Sequence, residues 1–254
     1  MFGCRLKLGE VFLLRFLIAL TFFLRSQPGL ASPPWTVIDD GTDNGVRVLK
    51  REHLDSDILE FRGQGIVESE LAMVVAMLTD PSRLTDWIEN SVSSKLLEKN
   101  YSVDDPDVMS ANILDFYHVQ YLEMYMPWPF ENRDFILKGV VKYNWNDQSN
   151  YGIVTIDSHI VEWTGLPEKH DLTRMTVMSS LTNLSRVDDK RTFIDFMVRA
   201  DPAGSIPQWL TNLATSRIPY FTIKNIRRMV RNGDVDQKRL ALVRRHIEDT
   251  ARKF

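Results

Sequence analysis

The chain has 254 residues, 44% hydrophobic and 26% charged, with a net charge of −3 and a single cysteine. That length and composition suit a globular protein with one substantial core. One cysteine excludes an internal disulfide, and the near-neutral balance excludes the uniformly basic surface of a nucleic-acid binder.

The charge is unevenly placed. Residues 32–205 hold 16 Lys+Arg and 29 Asp+Glu, a net of −13, and residues 206–254 hold 11 and 4, a net of +7. A basic end on an acidic body suits transient contact with an anionic membrane surface. Basic helices packed on an acidic sheet within the molecule account for the same asymmetry.

Residues 1–31 read as a secretory signal rather than as part of a fold. Arg5 and Lys7 precede an apolar run from Val11 to Leu24, interrupted by Arg15 and Thr21, and Pro28-Gly29 leads to a small-residue exit at Ala31. Export to the periplasm or medium, with cleavage after Ala31, is expected. The single Cys4 lies inside this segment.

From Trp35 to Asp40 and from Val46 to His53 the sequence predicts strands around a Gly41–Gly45 turn, and from Ile58 to Val67 a third. Ser69 reads as the cap of a helix with Leu71, Val74, Val75 and Leu78 on one stripe, stopped by Asp80-Pro81. A short helix, Ser82 to Ile88, follows. The stretch to Ala200 is β-rich, with runs at Lys95–Tyr101, Ser110–Met126, Phe135–Trp145, Tyr151–Glu162, Leu172–Leu184 and Arg191–Arg199. Short turn clusters between them imply antiparallel pairing.

The end of the chain is helical. Ile206, Trp209, Leu210, Leu213, Ile223, Ile226 and Val230 form an apolar stripe, with Pro219 inside it predicting a kink or break. Gly233 closes this helix, and Asp234 and Gln237 have capping-box spacing for a last one carrying Leu240, Val243, Ile247 and Phe254. The chain is thus divided into a signal at 1–31, one domain at 32–233 and a helical extension at 234–254.

Catalytic patterns are missing. No Gly-x-Ser-x-Gly elbow and no phosphate-cradling glycine loop occurs, and none of the five histidines has metal-ligand spacing with another ligand. No cofactor or metal is expected. Alternation instead supplies a lining. Phe135, Leu137, Val141, Tyr143 and Trp145 share one strand face, and Tyr117, Val119, Tyr121 and Tyr125 share another with Asp115 and Glu123 among them. Tyrosine and tryptophan join apolar area to a polar handle, which suits an amphipathic ligand.

Two motifs sharpen this. The first is Pro127-Trp128-Pro129-Phe130-Glu131-Asn132-Arg133-Asp134-Phe135, set between two β-like runs. The second is Asp201-Pro202-Ala203-Gly204-Ser205-Ile206-Pro207-Gln208-Trp209-Leu210, opening the long helix. In this order they resemble the START family of steroidogenic-acute-regulatory-protein-related lipid-transfer domains. The resemblance spans about Val46 to Val230. The chain departs from the family around Thr182-Asn183-Leu184, where members often carry a tryptophan and a proline. The resemblance implies an α+β helix-grip fold, a curved antiparallel sheet around a long C-terminal helix. It also implies a monomeric, non-enzymatic carrier of a lipid or other hydrophobic molecule, gated by that helix.

The candidate ligand contacts are Tyr117, Tyr121, Glu123, Tyr125, Tyr143 and Trp145 on the strands, with Trp209 and Leu213 on the helix. The resemblance adds Arg133 and Arg174. At a proline-framed corner Arg133 and Asp134 suit anchoring of the turn, and a contact to a ligand head is the other reading. Arg174 stands where the family often has an arginine opposite the cavity, and could pair with Glu123 or Asp115. Two alternatives stay open. One is an enzyme of the polyketide cyclase or hydratase kind, using Asp115, Glu123 or His118 as acid and base. The other is a ligand-sensing interaction module.

Overall fold

The computed structural model describes residues 32–53, 56–102, 104, 115–146, 151–166 and 168–252. The expected signal, the opening of the strand expected from Ser110, the turn at 147–150 and Phe254 lie outside the described residues. No described helix is long and apolar enough to cross a membrane.

The elements run β1 (Thr36–Asp39), β2 (Val46–His53), β3 (Ser56–Val67), α1 (Leu71–Leu78), a 3-10 turn (Pro81–Arg83) and α2 (Leu84–Trp87). The strands β4 (Ser91–Lys99), β5 (Asp115–Met124), β6 (Asn132–Asn146), β7 (Tyr151–Ile160), β8 (Leu172–Arg174), β9 (Val177–Asp188) and β10 (Arg191–Asp201) follow. Two helices, α3 (Gln208–Asn232) and α4 (Gln237–Arg252), end the chain.

One curved sheet in the order β1-β2-β3-β10-β9-β7-β6-β5-β4 holds these strands, all antiparallel, with β8 alone running parallel beside β6. The run expected from Leu172 to Leu184 is therefore two strands. The cause is a bidentate ion pair: Arg174 donates to both oxygens of Asp134 at 2.7 and 2.9 Å, which pins β8 to the start of β6 before β9 turns away.

Helix α3 lies across β3, β2 and β10. It reaches β3 because that strand carries Gly63 and Gly65 where other side chains would stand. A Cβ on Gly63 would sit 2.6 Å from the Cβ of Pro219. Pro219 is therefore an inward packing residue. Contrary to the expected break, the helix runs through it as one element, buried at Pro219, Ile223, Ile226 and Met229.

The main core lies between α3, α1 and the concave face of the sheet, where Phe61, Val141, Leu184 and Ile194 meet Val74, Val75 and Ile223. The two expected helix caps move by one or two residues. Glu70, not Ser69, precedes α1 and makes no side-chain cap. The carboxylate of Asp236 accepts from the Arg239 amide at 3.1 Å, whereas Asp234 pairs with Arg83.

Helix α4 packs against α1 and β6 rather than standing apart. Leu240 and Val243 are buried, and the His246 ring lies 4.3 Å from that of Tyr143. Buried Arg239 donates to the Thr79 carbonyl at 2.8 Å and stands 5.4 Å from the Tyr101 ring.

Candidate functional site

A cavity of about 390 Å³ opens between the N-terminal half of α3 and the turn that joins β5 to β6. Leu210, Ala214, Ile218 and Phe221 line it from the helix, Met124, Met126, Pro127 and Phe130 from the turn, and Met175, Met178 and Ala200 from the sheet. Its volume falls in the lower part of the range usual for small-molecule sites.

Three charged side chains border it: Glu89, Arg133 and Arg217. Arg133 is almost fully buried, and its guanidinium donates to the carbonyls of Glu131, Pro202 and Ala203, the second and third at 2.6 and 3.3 Å. These bonds tie the Pro-Trp-Pro turn to the loop that launches α3. They meet the anchoring role expected at the corner while leaving the guanidinium on the cavity wall. Burial pulls its pKa down.

Behind this vestibule is a second, smaller cavity of about 40 Å³, lined by Leu78, Leu84, Trp87, Ile156, Phe196 and Ile226 with the polar residues His118, Ser158, Ser180, Thr182 and Thr222. Met178 and Ile218 line both cavities and lie between them.

No family model matches the chain. An uncharacterized protein of Pseudomonas aeruginosa is 25% identical over 194 residues, 76% of this chain and 85% of that protein. A STAR-related lipid transfer protein from Xanthomonas axonopodis superposes with a TM-score of 0.61 at 26% identity, covering 78% of this chain and 98% of the other. Human StAR-related lipid transfer protein 5 gives a TM-score of 0.62 at 18% identity, covering 86% and 94%. The chain has the fold of a START domain.

Within this START fold the candidate contacts do not converge on one place. Arg133 and Tyr125 border the vestibule. Trp209 and Leu213 stand beside it, 69% and 52% exposed, on the solvent side of α3. The inward stripe of the helix is offset from the expected one and consists of Leu210, Thr211, Ala214, Thr215 and Ile218. Threonine hides this stripe from a hydrophobic reading. The Thr215 hydroxyl donates to the Thr211 carbonyl at 2.9 Å, which satisfies the hydroxyl and leaves a methyl to pack.

Tyr117, Tyr121 and Glu123 lie on the outer face of β5, so the parity expected for that strand is reversed. The residues that face inward are Phe116, His118, Gln120 and Leu122. Outside, Val119 and Tyr121 pack beneath Val161, Trp163 and Leu166, and Lys169 stands 5.2 Å from the Tyr121 ring and 3.5 Å from the Glu123 carboxylate. The Tyr117 hydroxyl donates to Glu98 at 2.5 Å. Both faces of β5 are apolar because the segment after β7 folds over the outside, so alternation alone does not say which face is the cavity.

Arg174 is also on the outer side. Its partner is Asp134, not Glu123, and the pairing to Asp134 raises its pKa. Tyr143 belongs to the core beneath α4, 5.9 Å from Phe116, and burial pushes its hydroxyl pKa up. The side chains of Trp145 and Asp115 lie outside the described residues.

Among the described residues the acid–base candidates Glu123 and His118 do not come together, because they occupy opposite faces of one strand. Among the described residues no cluster of three or more His, Cys, Asp or Glu could hold a metal. The residues that sequence reasoning missed are the methionines of the vestibule and the hydroxyl row of the inner cavity. A row of small polar residues on neighbouring strands was the signal for the second.

Proposed function

We propose that this protein binds one hydrophobic or amphipathic molecule of the lipid class in the vestibule and carries it between membranes. The observation that carries the reading is the 390 Å³ space between α3 and the sheet, walled by methionine, leucine, isoleucine and phenylalanine. An apolar molecule entering it leaves water at about 25 cal/mol per Å² of buried surface. The START fold of the Xanthomonas lipid transfer protein supports the same reading.

Membrane contact is proposed at the mouth rather than at the basic helices. Tyr125 lines the vestibule and is 53% exposed. Three further exposed apolar residues neighbour lining residues in the chain: Trp128, 91% exposed, next to Pro127, Trp209 next to Leu210, and Leu213 next to Ala214. Tryptophan and tyrosine partition to the water–lipid boundary. Two of the four arginines of α3 are engaged within the molecule. Arg227 donates to the carbonyls of Ile66, Asn44 and Gly45 at 2.8 to 3.0 Å, and Arg228 donates to the carbonyl of Asp86 at 3.1 Å. In α4, Lys238 pairs with Asp104 and Arg244 with Glu70.

The test is a cavity-filling substitution. Ala214→Trp projects an indole into the vestibule from an exposed helix position. Titration with a fluorescent fatty-acid or sterol analogue should show one site in the wild-type protein and at least tenfold weaker binding in the variant, at an unchanged melting temperature. Equal binding in both proteins would place the ligand elsewhere.

A further inference from the structure

The inner cavity carries a pattern that the apolar reading does not use. Strand register places His118 of β5 opposite Gly139 of β6, Gly139 opposite Ser158 of β7, and Ser158 opposite Ser180 of β9. Directly opposed residues share a face of the sheet, so these four form one row across four strands. Thr182 lies two residues along β9 on the same face. All but the glycine line the inner cavity.

Gly139 makes the row possible. A Cβ there would stand 3.3 Å from His118 Nε2 and 3.4 Å from Ser158 Oγ. The imidazole and the hydroxyl therefore close over the glycine from both sides. His118 is 7% exposed, and its Nδ1 is buried with no hydrogen-bond partner among the described residues. A buried orphan of this kind is destabilising, so its persistence beside a cavity points to a partner that arrives with a ligand.

The row also says what kind of group that is. Among the described residues no Asp, Glu, Lys or Arg lines the inner cavity, whereas the vestibule has Glu89, Arg133 and Arg217. An ion seated there would lose its hydration without meeting a counter-charge. The imidazole is itself uncharged: burial first, and then the charge of Arg239, depress its pKa to about 4, against a smaller opposing effect of Asp80. A neutral imidazole can donate from one nitrogen and accept at the other, and serine and threonine hydroxyls do both.

We propose that the inner cavity seats the polar end of the ligand, and that this end is an uncharged hydroxyl or carbonyl held by His118 together with Ser158, Ser180 and Thr182. The apolar body then runs outward past Met178 and Ile218 into the vestibule. The proposal rests on the ligand-binding reading above and adds orientation and selectivity to it. Ordered water is the competing occupant, since about 40 Å³ admits it.

The test displaces a fluorescent lipid analogue with three probes of one chain length: the primary alcohol, the carboxylate and the hydrocarbon. Wild-type protein should bind the alcohol about tenfold tighter than the other two, the worth of a satisfied hydrogen bond at a site otherwise left unpaired. His118→Phe and, as a milder change, Ser158→Ala should each erase that preference while leaving hydrocarbon affinity alone. The imidazole nitrogen resonances of His118 should move when the alcohol binds and stay still with the hydrocarbon. If the three probes bind alike and both variants match the wild type, water fills the inner cavity and the proposal fails, with the vestibule reading intact. If no probe displaces the analogue and Ala214→Trp leaves analogue binding unchanged, both readings fall.

Discussion

The two halves of α3 are held in different ways. From Thr222 onward the helix is anchored. Ile223, Ile226 and Met229 are buried, Arg227 spans three backbone carbonyls of the β1–β2 turn and β3, and Asn225 donates to Glu89 at 3.1 Å. From Gln208 to Ile218 the helix covers a cavity instead of a core, and Trp209 and Leu213 face solvent. Pro219 stands at the junction and leaves the Thr215 carbonyl without its helical donor. A gate at the vestibule would need only the half above it to move, because the half above the inner cavity is part of the core. In this structure Asn212 holds the first half to β3, its side-chain oxygen accepting from the Leu59 amide at 3.1 Å.

The strongest way to break this comparison is to truncate one residue in each half. Ile223→Ala should lower stability by about 2–5 kcal/mol, as a fully buried large-to-small change does, and Leu210→Ala by less than about 1 kcal/mol because its side chain already borders open space. Denaturant melts of the two variants decide it, and equal losses would refute the division. The next effect concerns His118, beneath the anchored half. Its folded pKa of about 4 lies below the ordinary 6.5, so the unfolded chain takes up the proton first. Its contribution to stability is complete above pH 6.5 and is lost as pH falls toward 4, a total of about 3 kcal/mol. Melts across that interval should show the slope in the wild type and not in His118→Phe.

Smaller effects sharpen the picture at the hinge and the mouth. Pro219→Ala keeps the Cβ that meets Gly63 and restores the missing helical bond. It should add about 1–2 kcal/mol of stability, slow ligand exchange several-fold and slow amide hydrogen exchange over residues 208–216 toward the rates of 223–231. Unaltered exchange of both kinds would move the hinge elsewhere. The smallest expected effect is a few-fold loss of vesicle binding in Trp128→Ser and Trp209→Ser, measured by co-sedimentation, with ligand affinity in solution unchanged. Full vesicle binding by the double variant would retire the rim as the docking surface.

Much of the architecture was legible in the sequence, because strand runs, turn clusters and the two motifs are local signals. Gly233 ends α3 as read, at φ +68°. What failed depended on knowledge of the neighbour. Tyr117 and Tyr121 alternate as a lining should, yet the segment around Trp163 covers their face. Trp209 and Leu213 are exposed apolar residues of the first turns of α3, yet Thr211 and Thr215 face inward, the Thr215 hydroxyl being used within the helix. Proline breaks helices in isolation, but Gly63 on β3 gives Pro219 a seat. His118, unremarkable as a lone strand histidine, gains meaning only from Gly139 and Ser158 on the strands beside it.

Four methionines, Met124, Met126, Met175 and Met178, line the vestibule. A thioether chain has three soft torsions and a polarisable sulfur, so such a wall moulds itself to whatever fills it. Shape is then a weak discriminator: a bent chain and a flat ring system can each find a fit. Peroxide would harden the same wall into sulfoxides, polar and no longer compliant, and a molecule already seated in the vestibule would shield those sulfurs. The softness that makes the vestibule tolerant of different molecules also makes its empty state the oxidisable one.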